Sequence, residues 1–446
     1  MSEISYNNRF LARIVLEAKT PLAIGSGKED VFTDALVATD VNGLPYIPGT
    51  SIAGVLRSMI GDKQAESFFG FKGEKNKEGK GSKVIFTEAK ILNSKSEIVD
   101  GLKLDAFKDS LLVNYKELPI RQHVRMNSKG TGEDKGKFDE QVVFAGTRFC
   151  FEIEFISEDV ADKENFDAIL KCINKNTFRI GSGSRSGFGE IEVVDIKTLV
   201  LDLKDESDRQ IYLEKSSDLS KEFDKWQTYD RESAEDEKWT RYEISLKPND
   251  FFNFSSGFGD DEVDSTPVLA RKVEWKNGMG VLSEPKTLIP ASSVKGALAH
   301  RVAFHYNKIM KRFAGSTGDN APKVGGENEA VRMLFGYSDN NTQQRGNVLF
   351  SDIIKEKRFE DKIINHVSID RFTGGGLDGA LFSEKATYAK GEEIKFTVLL
   401  NRNVTDADVI SAWENTLEDL CNSMLPLGGA VNKGYGMFTG KWNKQN

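Results

Sequence analysis

One pattern occurs twice in the sequence, as DVNGLPYIPGTSIAGVLRSMIG at residues 40–61 and as KTLIPASSVKGALAHRVAFH at residues 286–305. Each stretch reads as a short apolar strand, an Ile-Pro pair, small or hydroxyl residues, and a helix with a glycine in its first turn. In the first stretch, apolar residues recur at i, i+3, i+4 and i+7 from Ile52, with Thr50 or Ser51 available as N-cap. The two stretches predict one folding unit present in two copies.

Other landmarks recur in the same order at nearly the same offset. The Ile-Pro pairs lie 242 residues apart, and His123-Val124 lies 243 residues before His366-Val367. The glycine-rich segments GSGSRSGFGEI at 181–191 and GGAVNKGYGMF at 428–438 are offset by 247. Because several landmarks keep their order with little drift, we interpret the chain as a diverged tandem repeat.

Within each copy the predicted order is strand, helix, two strands, helix, strand. That order is typical of a βαββαβ unit, so the predicted fold class is α+β, with two tandem ferredoxin-like, RRM-like units carrying hairpins and loop insertions. We place the first unit at residues 1–201 and the second at 241–446. Residues 202–240 are rich in both charge signs and predict a solvated helix or extended tether between the units.

Composition excludes several classes of protein. The 446 residues carry a net charge of -8, which argues against a generally basic nucleic-acid coat but permits a local basic groove. No stretch resembles a secretion signal or a membrane span, so we expect a cytoplasmic protein without membrane contact. Cys150, Cys172 and Cys421 lack metal-ligand spacing and are expected to be buried thiols in a reducing compartment.

The glycine-rich segments do not match a mononucleotide-binding motif. IGSGKED at residues 24–30 lacks the glycine that a P-loop requires five residues before Gly27, and Glu29 replaces the Ser or Thr that would hold magnesium. Glycine runs beside Arg185 and Lys433 permit either close approach of backbone N–H groups to a phosphate or a tight turn after a helix. Both interpretations remain open on the residues alone.

Together, the motifs PYIPGTSIAGVLR and RIGSGSRSGFG resemble those of the RAMP superfamily of CRISPR proteins. HVSIDRFTGGGLDGALFSEKATYAKGEEIKF, from His366, is similar to the central hairpin segment of backbone subunits in type III RNA-targeting complexes. The resemblance covers both copies and is closest to fused double-backbone proteins. It implies binding of a CRISPR guide RNA and of complementary target RNA, in antiviral assemblies with other type III effector subunits.

The resemblance assigns guide-RNA contacts to the helix starts and the glycine-rich segments. Such contacts hold the RNA backbone and leave sequence specificity to base pairing. Lys295 matches the basic residue that the family has just before the helix glycine, whereas Ala53 stands there in copy one. The implied RNA-binding residues are Ser51, Arg57, Gly181, Ser182, Gly183, Arg185 and Gly187 in copy one, and Ser292, Ser293, Lys295, Gly428, Gly429, Lys433 and Gly434 in copy two.

Two glycine-rich hairpins, from His123 and from His366, resemble the family's thumbs. The functional interpretation is an apolar tip, Phe138 in copy one and Leu377 or Phe382 in copy two, that displaces a nucleotide from the stack. The alternative is an ordinary hairpin whose aromatic residues pack on their own unit. The implied thumb residues are His123, Arg125, Phe138, His366, Arg371, Leu377 and Phe382.

In catalytic members of the family an aspartate in the loop after the first strand supports metal-dependent cleavage of target RNA. Asp34 is the match in copy one, and Asp264 is the nearest match in copy two, with Thr266 adding one residue before Pro267. The resemblance therefore implies an endoribonuclease with Asp34 and Asp264 as catalytic and metal-binding residues and Mg²⁺ or another divalent metal as cofactor. The alternative interpretation is an ordinary solvated acidic loop.

Three other functions stay open at this stage. A non-catalytic guide-RNA carrier would share every motif except functional loop aspartates. A guide-processing endoribonuclease would use a histidine as acid or base without metal, although neither His123 nor His366 lies near the first helix, which is the usual context in that subgroup. A small-molecule enzyme on a ferredoxin-like repeat would suit the acidic net charge.

Overall fold

The structure, a computed structural model, describes residues 6–31, 33–73, 79–127, 129–231, 235–338 and 342–445. Residues 1–5 and 446, at the ends of the two predicted units, and residues 232–234 of the predicted linker lie outside them. Every candidate site residue lies inside the described ranges.

The first unit is an antiparallel sheet with two main helices packed on one face. Its elements are β1 (Asn8–Ala18), α1 (Gly49–Ile60), α2 (Asp62–Phe69), β2 (Val84–Phe86), β3 (Lys90–Ile91), β4 (Ile120–Met126), β5 (Gly132–Gln141), β6 (Arg148–Ser157), α3 (Lys163–Ile173) and β7 (Ile191–Asp202). The sheet order is β2-β6-β1-β7, and β3 adds to β6. This is the strand order of a ferredoxin-like fold.

Alternation along β1 explains which face of this sheet is covered. Phe10, Ile14 and Leu16 are fully buried and point towards the helices, as a half-buried strand with a period of two requires. Phe10 stacks on Phe166 of α3 with ring centroids 5.9 Å apart. The apolar face of α3 therefore closes the core of the first unit.

The second unit repeats this architecture with more insertions. Its elements are β9 (Trp239–Pro248), β10 (Phe251–Phe252), β11 (Leu269–Ala270), β12 (Val273–Lys276), β13 (Met279–Leu282), β14 (Lys286–Ile289), α5 (Ala291–Ile309), α6 (Glu329–Phe335), β15 (Gly336–Ser338), β16 (Gln343–Arg345), β17 (Val348–Leu349), β18 (Ile353–Ile354), β19 (Glu360–Ile369), β20 (Gly376–Tyr388), β21 (Ile394–Asn401), α7 (Ala407–Cys421) and β22 (Phe438–Gln445). The sheet order β17-β21-β9-β22 matches that of the first unit strand for strand.

The predicted fold class is confirmed, since both units have a βαββαβ core with hairpins and loop insertions. The N-cap of the first helix differs from the prediction. Pro48 is the N-cap of α1, Thr50 and Ser51 lie inside the helix, and no side chain caps it. Pro48 has extended backbone dihedrals and accepts hydrogen bonds from Ser51 and Ile52, so the helix starts directly after the strand.

The segment between the units packs more closely than the predicted tether. It contains α4 (Glu206–Glu214) and β8 (Gln227–Thr228), and β8 pairs with β7. Leu219 is buried, and Trp226 packs near Leu11 and Leu199 on the outer face of the first sheet. Apolar residues interspersed among the charged ones make these contacts. The segment therefore covers part of the outer face of the first sheet.

The cysteines are free thiols, with Cys150 and Cys421 buried. Burial raises the pKa of the Cys150 thiol to about 12. Such a thiol is protonated and unreactive at neutral pH.

Candidate nucleic-acid interface

The two units meet at a junction built around one buried carboxylate. Asp352, whose side chain is 2% exposed, accepts a hydrogen bond from the backbone of Ala291 at 2.9 Å, at the start of α5. Its other oxygen lies 2.5 Å from Nη2 of Arg121 on β4 of the first unit. Burial raises the pKa of Asp352, and the charge of Arg121 opposes that shift. The ion pair therefore locks the hairpin of the first unit to the helix start of the second.

The glycine segment of the first unit packs into the same junction. The backbone N–H of Asp352 donates to Gly187 O at 3.1 Å. Gly187 has a φ of +115°, and a Cβ there would come within 2.5 Å of Asp352 Oδ1 and 2.6 Å of the Ala291 Cβ. Only glycine fits this approach, so the residue is required by contact between the units.

Four amides of the first glycine segment bond within the protein. Ser182 donates to Ala23 O, Ser186 and Phe188 donate to Gly183 O, and Gly189 donates to Pro21 O. These four amides support the tight-turn interpretation of this part of the segment.

Two cations that the sequence placed on separate surfaces come together at the junction. Arg185 donates through Nε to Gly346 O at 2.5 Å, and Lys295 Nζ lies 3.5 Å from Ser186 Oγ. Burial, together with the charges of Arg345 and Arg179, lowers the pKa of Arg185 to about 10. Burial and the charge of Arg185 also lower the pKa of Lys295.

The positive charge of this group is little compensated. Among the described residues, no carboxylate oxygen lies within 4.0 Å of a side-chain nitrogen of Arg185 or Lys295, whereas Arg179 lies 3.6 Å from Glu190. We call Arg179, Arg185, Lys295 and Arg345 the junction cations. Clustered cations that depress each other's pKa gain free energy when an anion joins them.

The start of α1 borders a cavity, whereas Ala291 at the start of α5 is buried at the junction. Arg57 lines a shallow cavity of about 300 Å³ with Thr50, Ala53 and Phe86, and donates to Gly70 O at 2.8 Å. Ser51 lies beside this cavity in the first turn of α1. Ser292 and Ser293 occupy the first turn of α5, next to the junction.

The second glycine segment is mostly exposed. Gly429 donates to Asn253 O, and a Cβ on Gly428 would come within 2.4 Å of that oxygen. Gly434 has a positive φ with open space around it. Lys433 Nζ lies 3.5 Å from Glu384 Oε1, so this cation is partly compensated.

Asp34 and Asp264 occupy equivalent positions in two loops of one shape. Asp34 Oδ2 accepts the backbone N–H of Asp139 at 2.8 Å, and Asp264 Oδ2 accepts that of Ser383 at 2.8 Å. The backbone N–H of each aspartate donates to the same strand residue in return. Bonds from Ser383 hold the pKa of Asp264 below its usual range. Asp264 is therefore the register match of Asp34 despite the extra residue in the sequence.

Both acidic loops are exposed and stand beside a hairpin. Loop 256–266 also touches the other unit, since a Cβ on Gly257 would come within 2.0 Å of Gln122 Oε1 on β4. In the described ranges no group of three His, Cys, Asp or Glu side chains is placed to hold a metal ion. The protein residues described do not form a metal cage of their own, so each aspartate offers a single carboxylate.

The phenylalanines that were expected at the tips of the hairpins do not lie there. Phe138 pairs with His123 and Phe382 pairs with His366, in the middle of the paired strands and not at the turns. Leu377 lies next to the second turn and is half exposed, and Phe372 within that turn is 98% exposed. The strand register, which the sequence did not fix, decides this placement.

The remaining thumb residues are Arg125 and Arg371. Arg125 is exposed on β4, with Nε 3.8 Å from Glu133 Oε2, and Arg371 lies in the turn after β19. Both cations are solvent-accessible near the hairpin ends.

The sequence interpretation missed a carboxylate beside each hairpin histidine, which only in the second unit makes a hydrogen bond. His123 Nε2 lies 2.9 Å from Glu140 Oε1, and His366 Nε2 lies 2.6 Å from Glu384 Oε1. Both glutamates sit two residues after the mid-hairpin phenylalanine, at an offset of 244 residues. That repeat spacing was the signal that would have found them.

The described residues contain no helix long and apolar enough to span a membrane. No curated protein matches the chain at a significant level. The sequence model of the RAMP superfamily matches residues 15–192 and 278–439, which together make up more than half of the chain and fall in separate units. The chain therefore belongs to the RAMP superfamily of CRISPR-associated RNA-binding proteins, with two RAMP units in tandem.

Proposed function

We propose that this protein is a guide-RNA-binding backbone subunit of a type III CRISPR ribonucleoprotein. The observation that carries the proposal is the group of junction cations, where Arg185 and Lys295 converge without a carboxylate partner among the described residues. A polyanion laid across the junction would relieve their mutual repulsion. The guide RNA backbone supplies such a polyanion, and its partners would be complementary target RNA and the other effector subunits.

The two units bind successive segments of RNA in this proposal. Arg185 and Lys295 at the junction bind consecutive phosphates of the RNA backbone. Lys433 in the exposed second glycine segment binds a phosphate further along the RNA. Contacts to phosphate position the RNA without reading its bases. The net charge of -8 is compatible with this because the positive charge is local.

We further propose that Asp34 and Asp264 support cleavage of the target RNA. Both carboxylates are exposed on loops of the same shape beside a hairpin, and the bonds from Ser383 lower the pKa of Asp264, which favours its ionised form. Each carboxylate would orient a ribose 2′-hydroxyl against the adjacent phosphate. Any Mg²⁺ or other divalent ion would share its single carboxylate with oxygens of RNA and water.

Binding of RNA tests the first proposal. Arg185→Ala and Lys295→Ala should each weaken binding of a single-stranded oligoribonucleotide about tenfold and reduce the slope of log affinity against log salt by about one. Fluorescence anisotropy titrations at several salt concentrations measure both quantities.

The matched controls are Arg209→Ala and Lys171→Ala, which remove exposed cations away from the junction. These variants should bind RNA as the unmodified protein does. Equal losses in the controls would show that only overall charge matters, and absence of binding by the unmodified protein would reject the proposed function.

A further inference from the structure

The hairpin of the first unit presents an aromatic ring that is held from behind. Phe138 is 44% exposed, and the ring of His123 lies nearly parallel to it, with an angle of 12° and centroids 4.7 Å apart. Glu140 Oε1 lies 2.9 Å from Nε2 of that imidazole, without a hydrogen bond between the two side chains. One face of Phe138 is therefore covered by the imidazole while much of the ring stays accessible.

The second unit repeats the arrangement with the same residue types. Phe382 is 40% exposed, and His366 lies at 21° to it with centroids 6.3 Å apart. Glu384, which is 4% exposed, holds Nε2 of His366 at 2.6 Å. Neither phenylalanine belongs to a hydrophobic core of the described residues, so core packing does not explain the repetition.

The two phenylalanine–histidine pairs lie next to the glycine segments and their cations. The ring of His123 meets the edge of Phe188, which belongs to the same glycine segment as Arg185, with centroids 6.0 Å apart. Arg121 lies on the same face of the hairpin as His123 and reaches Asp352 at the junction. The exposed ring of Phe138 therefore faces the side of the hairpin that carries the junction cations.

We infer that Phe138 and Phe382 are stacking platforms for nucleobases, one in each unit, with the His-Glu pair behind each ring acting to position it. The inference rests on the proposed function, because the bound RNA supplies the bases. Stacking on an aromatic face tolerates any base and so suits a protein that holds RNA without reading it. Because each ring lies in mid-hairpin, a base would stack on its face. This differs from a residue at the hairpin tip that inserts between bases.

The two platforms are not equally open. Lys433 Nζ lies 5.7 Å from the centroid of Phe382 and also contacts Glu384. Ser186 stands at the matching position in the first unit, and no cation lies over Phe138 among the described residues. Phe138 is therefore the stronger platform for a base, and the Phe382 site combines stacking with a cation for phosphate.

An abasic RNA scan tests the inference with the full chain. Unmodified protein should bind an oligoribonucleotide less tightly when the nucleotide opposite Phe138 lacks its base, by roughly 5- to 150-fold. Phe138→Ala should lose a similar factor with intact RNA and lose nothing further with the abasic RNA. Phe138→Tyr keeps the ring and should bind like the unmodified protein, which separates stacking from a folding defect.

Val124→Ala is the matched control, since Val124 is 55% exposed on the opposite face of the same hairpin. If Phe138→Ala equals Val124→Ala, or if its loss is the same for intact and abasic RNA, the platform is rejected while RNA binding stands. Unchanged RNA binding with altered association to a protein would assign the ring to a protein partner. Failure of the unmodified protein to bind RNA would instead overturn the proposed function, and this inference with it.

Glu140→Gln tests the positioning role. It removes the charge near His123 while keeping the shape, so quenching of a 2-aminopurine placed at the platform should fall while the ring itself remains. Restoration of quenching by Glu140→Asp would support positioning, and quenching unchanged in Glu140→Gln would contradict it.

Discussion

At the scale of single residues, each acidic loop has one carboxylate that makes a structural hydrogen bond and is also the group proposed for chemistry. Asp34 and Asp264 each use one oxygen to accept a backbone hydrogen bond from a hairpin strand. The other oxygen of each is not committed to a bond of this kind among the described residues. Replacement by asparagine keeps an acceptor for the structural bond and removes only the charge, which makes it the right test of chemistry.

Asp34→Asn and Asp264→Asn should each abolish one cut in target RNA in a reconstituted complex, slowing it roughly 100-fold or more, and leave RNA binding unchanged. A sequencing-gel ladder of products measures this. Asp261→Asn is the matched control in the second loop, where the residue is exposed. If the ladder of both variants equals that of the unmodified protein, Asp34 and Asp264 are not the catalytic residues.

At the scale of elements, the segment between the units is an integral cover on the first sheet. Trp226 lies under the guanidinium of Arg13, with 5.4 Å from Cζ to the ring centroid, and against Phe223. Lys215 adds a 2.5 Å ion pair with Glu152 on β6. These contacts cover part of the outer face of the sheet, around Leu11, Leu199 and Leu201.

Trp226→Ala should lower the free energy of unfolding by about 2 kcal/mol, through lost apolar burial and the lost cation–π contact. It should also speed proteolysis within residues 203–236. Urea denaturation and limited trypsin digestion measure the two effects. Leu213→Ala on α4 removes a side chain that is 70% exposed and should change stability by less than about 0.5 kcal/mol. Equal stability of the two variants would contradict the assigned packing.

At the scale of the whole molecule, the junction makes the two RAMP units one composite surface. Arg121, Gly187 and Arg185 of the first unit all meet the start of α5 or its neighbours in the second. The corresponding positions at the free ends of the molecule carry Ile364, Gly434 and Asn432. The two arginines at the junction therefore have no charged counterparts at the equivalent positions of the second unit.

Arg121→Met should destabilise the protein by about 3–5 kcal/mol, because it leaves the Asp352 carboxylate buried without its partner charge. Adding Asp352→Asn should restore part of the loss, since the amide oxygen can still accept the bond from Ala291. Thermal and urea denaturation measure these changes. Arg125→Met, four residues along the same strand and exposed, is the control, and equal effects of the two arginine variants would refute the proposed lock.

Two residue patterns were enough to predict the ferredoxin-like repeat. Period-two burial in β1 and helical periodicity after each Ile-Pro pair are local properties, and the repeat offset gave the number of units. The register match of Asp34 with Asp264 needed the structure, because insertions shift the count in the sequence while backbone pairing with the hairpin does not shift.

By itself the sequence determined the class of fold, the two copies and the residue types at each candidate site, because periodicity and glycine or proline placement act over a few neighbouring residues. Only the tertiary structure decided that Arg185 and Lys295 converge, that Glu140 and Glu384 lie beside the histidines, and that Trp226 covers part of a sheet. Those pairs are separated by many residues, and side-chain packing at a junction depends on how whole units dock, which no local pattern encodes.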